Sequence, residues 1–404
     1  MPPSLARRLA VSALALVCFA LLAWALLGKR LSLSPEPGTV RTLDLSADVD
    51  ALIDSNPVEA VSDAPVMRDG VAWPGLLITK EKKELLIETF ANRHSGRIVS
   101  DPDAYFAVRP NYRCEWRFPE HPAKTWFSNS NSYGLRGRLE PASEPPDLRV
   151  IVTGDSHIEG VCLDHETYPV QLGIRLRREF PGKRIESFNA AVGGYDPYNY
   201  LGALEKFIAL DPDVFVMTVF GGNDFKGAYG IRSYYASTKG EVSDNRIRMK
   251  LVESGIDMVG LNPQELTQAV FFLENPDEIE NTIATMVALT ERMRERCEEE
   301  GIELVCVYLP APLRAQPQLY RELIATIEAA LPEFEDPLSS SDRIADGWIE
   351  FVKERALRVL DLRPIFRAHE EQLYWRSDYH LNVRGQAVIA ESLQPLISEL
   401  LADR

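Results

Sequence analysis

Short, nearly unbroken apolar runs punctuate the second half of the chain: RVIVT (149–153), RIESFNAAV (184–192), VFVMTVF (214–220), IELVCVYLP (302–310) and RVLDL (358–362). Runs of this kind, without polar alternation, predict parallel strands covered on both faces. Between them lie stretches of helical character at Tyr168–Phe180, Tyr198–Leu210, Ile279–Glu300 and Gln318–Ala330. Within Ile279–Glu300, the positions Ile283, Met286, Leu289, Met293 and Cys297 recur at three- and four-residue steps and form one apolar stripe. Alternation of strand and helix predicts a parallel sheet with helices on both sides and right-handed crossovers. A closing helix is expected over Val383–Leu401, with Leu393, Leu396, Ile397 and Leu400 on one face and a kink or break at Pro395.

Other regions follow different patterns. Arg7 and Arg8 precede an apolar run, Leu9–Gly28, that Lys29 and Arg30 close. About twenty residues rising about 1.5 Å each match a bilayer core of roughly 30 Å, so residues 1–30 are expected to anchor the chain in a membrane as a transmembrane helix. A cleaved signal peptide is the alternative, since Ala23-Trp24-Ala25 offers a small-x-small site. Both place the remainder outside the cytoplasm, in the periplasm. Residues 31–71 read as a polar linker, with SPEPG at Ser34–Gly38. Residues 72–146 mix aromatics and prolines without a sustained period and are expected to form an irregular extension with short β structure. The regular pattern occupies residues 147–404. Within it, 225–277 is too long for a loop; it is expected to decide what enters the site, as a lid or binding loop, the alternative being a helix docked elsewhere that completes the core. There Asn262, Pro263 and Glu265 make a good helix start, and Ala269–Phe272 would cover an acyl chain or rest on the site.

Composition narrows the partners. A net charge of −16 leaves little basic surface for phosphates, which argues against nucleic acid. Cys114, Cys162, Cys297 and Cys306 show neither a C-x-x-C pair nor histidines at zinc spacing, so two disulfides and buried free thiols both remain open.

The predicted strand ends carry the chemistry. Gly154-Asp155-Ser156 follows the first, Asn189 to Gly194 the second, and Gly221-Gly222-Asn223-Asp224 the third; Ser377-Asp378-Tyr379-His380-Leu381-Asn382 precedes the last helix. In open α/β sheets ligands bind outside the carboxyl ends of strands. A serine hydroxyl needs a base to take its proton, an imidazole titrates near neutrality, and a carboxylate fixes its tautomer. The nucleophile-elbow pattern G-x-S-x-G is absent, because position 158 is Ile.

In this chain order the pieces resemble the SGNH, or GDSL-type, hydrolase family, over residues 147–404. The resemblance implies a three-layer α/β/α flavodoxin-like fold with about five parallel strands. It makes Ser156 the nucleophile, His380 the general base and Asp378 its orienting acid. The oxyanion hole would combine the N–H groups of Ser156 and Gly194 with the Asn223 amide. Asn131 to Gly137 (NSYGLRG) also looks like the segment that leads into this domain in membrane-anchored bacterial members. Many relatives space the acid three residues before the histidine. Here Asp378 and His380 are two apart, which is similar to relatives that acetylate or deacetylate extracellular polysaccharides.

The expected function is a serine esterase cleaving acyl esters, acetyl among them, on an extracytoplasmic glycan or envelope component, without metal or cofactor. The alternatives are a polysaccharide O-acyltransferase using the same serine, or a non-catalytic glycan-binding or assembly protein. His157 is expected to line the pocket or face solvent, and Asp155 to satisfy local backbone donors. His94, His121, His165 and His369 are expected at the surface.

Overall fold

The computed structural model describes residues 67–68, 71–72, 78, 80–93, 96–236, 245–258 and 264–402. The expected membrane segment and most of the linker lie outside the described residues, as do His94, Asn262 and Pro263. Among the described residues, no helix is long and apolar enough to cross a membrane.

The extension is more ordered than its sequence pattern predicts. It begins with a helix, α1 (Lys80–Arg93), followed by an antiparallel pair, β1 (Ile98–Asp101) with β2 (Tyr105–Val108). A second antiparallel pair joins β3 (Arg113–Arg117) to β4 (Thr125–Asn129). Helix α1 escapes periodicity reading because the buried part of its apolar stripe is thin: Leu86 and Phe90, four residues apart, are buried among charged neighbours.

The predicted strands then appear in order. They are β5 (Leu148–Thr153), β6 (Ile185–Asn189), β7 (Val214–Phe220), β8 (Glu303–Leu309) and β9 (Arg358–Asp361). They form one parallel sheet in the order β6-β5-β7-β8-β9. This is the flavodoxin-like winding, in which the chain reverses direction between β5 and β7 and leaves a crevice at their carboxyl ends. The period of two divides the strand residues between two cores. Ile151, Phe215, Met217 and Cys306 face one side; Val152, Val216, Val305 and Val307 face the other.

Helices cover both faces. After β5 come a single turn, α2 (Ser156–Glu159), and α3 (Tyr168–Glu179); after β6 comes α4 (Pro197–Phe207). After β7 the chain forms α5 (Asp224–Ala236), α6 (Arg246–Glu253), α7 (Gln264–Glu274) and α8 (Glu278–Glu300). On α8, Met286, Leu289, Met293 and Cys297 are buried, the methionine and leucine side chains contributing roughly 1.5–3 kcal/mol each. After β8 follow α9 (Arg321–Ala330) and α10 (Ser340–Glu354); α10 was not among the predicted helices, although Ile344, Trp348 and Val352 recur at helical spacing and are buried. The chain closes with α11 (Val383–Ala402).

Two expectations about these elements need correction. Of the kink or break expected at Pro395, the break is absent: α11 continues through the proline, with Leu393, Ile397 and Leu401 buried together in one core. The apolar group of α7 is core rather than a cover for the site. Phe272 joins the core around Met286, while Ala269 and Val270 pack with Leu313, Ile327 and Leu338.

Candidate active site

The first strand turn is built to present Ser156. A Cβ on Gly154 would lie 2.3 Å from Ile158 Cγ1, so only glycine lets β5 turn directly into α2. Asp155 caps that turn, its Oδ1 accepting the His157 N–H at 2.9 Å, as the sequence suggested. Ser156 therefore occupies the first position of the turn, at the carboxyl end of a central strand.

His380 reaches it from far along the chain: its Nε2 lies 2.8 Å from Ser156 Oγ. Asp378 attends the same imidazole in two ways. Its Oδ1 accepts the His380 N–H at 3.1 Å, and its Oδ2 lies 3.3 Å from Nδ1, an ion-pair contact without hydrogen-bond alignment. The two-residue spacing is accommodated by Tyr379, which adopts a left-handed conformation at φ 61°. Burial pushes the imidazole down, but the Asp378 carboxylate, followed by the charge on Asp155, outweighs it, so His380 is raised above its ordinary 6.5. Burial likewise carries Asp155 up to about 6, against the lowering effects of the His157 N–H, His380 and the Asn223 amide.

Donors flank the serine. A Cβ on Gly193 would lie 3.5 Å from the Ser156 Cβ, so the turn after β6 rests against Ser156. The Gly193 N–H is already bound to Glu159 Oε2 at 2.7 Å. Gly194 stands next to it at φ +87°, a left-handed conformation suited to glycine, and its N–H has no acceptor among the described residues. Asn223 follows β7, and its Oδ1 is buried without a hydrogen bond. Ser156, Asp378 and His380 thus meet at the carboxyl ends of the central strands, where the turns that carry Gly194 and Asn223 also end.

One histidine settles between open alternatives and one departs from expectation. His157, expected to line the pocket or face solvent, does not face solvent: it is buried, stacked on Phe220 at 3.6 Å and on His380 at 4.6 Å between ring centroids. Burial, then the neighbouring His380, holds it well below 6.5, so it is a neutral platform under the His380 ring. His121 is also buried, with Nε2 2.8 Å from Glu166 Oε2; the aromatics Trp126 and Trp375 around it explain the exclusion of water. His165 is exposed and His369 half-buried. The four described cysteines are free thiols, which decides between the two open alternatives.

Several supporting residues were invisible as single letters. Arg136, inside the NSYGLRG segment, is buried and donates to the carbonyls of Glu159, Gly160 and Cys162 and to Asp164 Oδ1. It thereby satisfies the acceptors left at the end of α2. Asn131 shapes the turn that delivers it, accepting the N–H groups of Tyr133 and Leu135 on its Oδ1. Gln386 of α11 ties the two halves of the site together, accepting the Tyr168 N–H at 2.9 Å and donating to the His157 carbonyl at 2.6 Å.

Residues 267–403 match the family described as SGNH hydrolase-like domain, acetyltransferase AlgX. Over that stretch the chain is similar to the SGNH hydrolase-like family. The matched range contains Asp378 and His380, whereas Ser156, Gly194 and Asn223 precede it. The place of the serine in this SGNH-like domain is therefore read from geometry. Solved structures resembling the chain include an acetylxylan esterase from Geobacillus stearothermophilus, at 12% identity over 61% of this chain and 93% of that one, with a TM-score of 0.38. An α/β hydrolase enzyme from the metagenome of Lake Arreo, Spain, matches at 15% identity over 61% and 94%, with a TM-score of 0.37. The acetyl xylan esterase AlAXEase matches at 13% over 62% and 100%, with a TM-score of 0.36. No curated protein matches the chain at a significant level.

Proposed function

We propose that this protein is a serine-dependent acyl-group enzyme that cleaves acyl esters, acetyl among them, on an extracytoplasmic glycan or envelope component. The observation that carries this reading is the 2.8 Å approach of His380 Nε2 to Ser156 Oγ, with Asp378 at the far side of the same ring. In the proposed reaction His380 takes the Ser156 proton as Oγ attacks the ester carbonyl. The tetrahedral oxyanion accepts hydrogen bonds from the Ser156 and Gly194 N–H groups and the Asn223 amide. Its collapse expels the alcohol, which receives the proton from His380 and leaves an acyl-Ser156 ester. Water activated by the same imidazole then releases the acid. Removing one oxyanion donor from such a site slows turnover about 100- to 1,000-fold.

The description of the matching family favours a second ending, in which a sugar hydroxyl replaces water and the enzyme is an O-acyltransferase. Both endings share the acyl-serine. Retention by the apolar segment Leu9–Leu27, outside the cytoplasm, completes the proposal.

A fluorophosphonate should label the purified protein on Ser156, with Ser156→Ala unlabelled. Normal labelling of that variant would remove the serine from the mechanism. Adding a glycan acceptor to an acetyl-ester assay then separates the endings: acetylated glycan marks transfer, and free acetate alone marks hydrolysis.

A further inference from the structure

The segment that holds the acid and the base is gripped from outside the sheet. Glu120 lies in the loop between β3 and β4, in the extension that precedes the SGNH-like domain. Its Oε2 accepts the Arg376 N–H at 2.8 Å and its Oε1 accepts the Ser377 N–H at 2.6 Å. These are the two peptide donors immediately before Asp378. We propose that Glu120 is a positioning residue for the catalytic base: by holding residues 376 and 377 it aims Asp378 at His380. The proposal rests on the reading of Ser156 and His380 given above.

Three observations support it. First, the segment needs restraint. Tyr379 sits at φ 61° between acid and base, and Asp378 approaches Nδ1 without hydrogen-bond alignment, so a small rotation of the backbone would turn the carboxylate away. Second, the far end is already fixed. The Trp375 N–H donates to the His380 carbonyl at 2.7 Å, and the Trp375 indole donates to the Val161 carbonyl at 3.2 Å. Residues 376 and 377 span the gap between that anchor and Asp378, and their backbone N–H groups bond to Glu120.

Third, Glu120 itself stands on a firm base. The Phe118 N–H donates to the Lys124 carbonyl at 2.8 Å, and the Phe118 ring meets Trp375 edge-on at 5.3 Å. Next to Glu120, His121 is held by Glu166 at 2.8 Å and accepts the Ala123 N–H on Nδ1 at 3.0 Å. The loop is thus fixed to the 161–166 segment that follows the nucleophile turn. The extension connects the serine side of the site to the base side.

The test uses the full-length protein in detergent and the rate at which a fluorophosphonate labels Ser156 as its concentration rises. A displacement of about 1 Å at a reacting group can cost about 100-fold, so Glu120→Ala should lower the maximal labelling rate about 10-fold, with half-saturation within about twofold. Glu120→Gln keeps one oxygen acceptor but turns its NH2 toward the other peptide N–H, so it should recover only part of the loss, and the melting temperatures of both should stay near that of the parent protein. A parent-like maximal rate in Glu120→Ala would overturn the proposal, as would an effect confined to half-saturation. If Glu120→Ala fails to fold, Glu120→Asp carries the test, because a carboxylate shorter by one methylene cannot reach both donors; an unchanged rate there would overturn the proposal equally. Absence of Ser156 labelling in the parent protein would count instead against the acyl-serine reading.

Discussion

At the scale of single residues, the environment of His380 decides how the protein should respond to pH. Its imidazole is raised above 6.5 by Asp378 and Asp155 acting against burial, and in the proposed mechanism it works as a base only when neutral. The acid limb of kcat/KM is therefore expected above pH 6.5, with activity falling as the pH drops through the raised value. Asp378→Asn removes the larger raising influence, so the limb should shift to lower pH while the rate falls by about 10²- to 10⁴-fold, the range typical of general acid–base catalysis. An acid limb that stays in place in the variant would show that another group controls it. Ser156 was identifiable from Gly154-Asp155-Ser156 in its chain context. Glu120 and Arg136 were not, because they act through backbone carbonyls and N–H groups that carry no sequence signature.

Among the elements, α7 shows how an apolar cluster can mislead. Ala269–Phe272 looked suited to a lid, yet that group lies in the core, while Gln268 of the same helix donates to the Gly221 carbonyl at 2.8 Å in the loop that carries Asn223. Glu265 in its first turn is buried, with Oε2 accepting the Leu313 N–H at 2.9 Å. Burial pushes its carboxyl from 4.5 up to about 8. A group raised on folding supports the fold fully below its unfolded value and loses that support as the pH rises through its folded value. The parent protein should thus lose stability between about pH 4.5 and 8, by at most about 1.4 kcal/mol per pH unit from this group. Glu265→Gln cannot ionise, so its melting temperature should fall less over that window. Parallel melting curves for the two proteins across the window would refute this assignment.

For the whole molecule, the proposed topology places the catalytic domain beyond the cytoplasmic membrane. A C-terminal alkaline phosphatase fusion should be active and should sediment with membranes. Phosphatase activity released into the soluble periplasm would favour a cleaved signal, and an inactive fusion would refute export. The structural contribution at this scale is the extension. It holds the 376–377 segment through Glu120 and the Ser156–Glu159 turn through Arg136, so truncating it should weaken the proposed site rather than merely shorten the chain.

The sequence by itself determined the parallel sheet and the order of its strands along the chain, because runs buried on both faces must be apolar throughout and glycine must stand where a strand turns without room for a side chain. It also determined the candidate serine, histidine and acid, since those side chains act through their own chemistry at strand ends. Only the tertiary structure decided what surrounds them. His157 became a buried platform because Phe220 and His380 enclose it, α11 continued through Pro395 because its neighbours hold it, and the cysteines stayed free thiols. The hydrogen bonds of Glu120, Arg136 and Gln386 likewise depend on segments up to 257 residues apart in the chain meeting in space. Local patterns reflect which face of an element is buried; they do not encode which distant backbone group will need a partner.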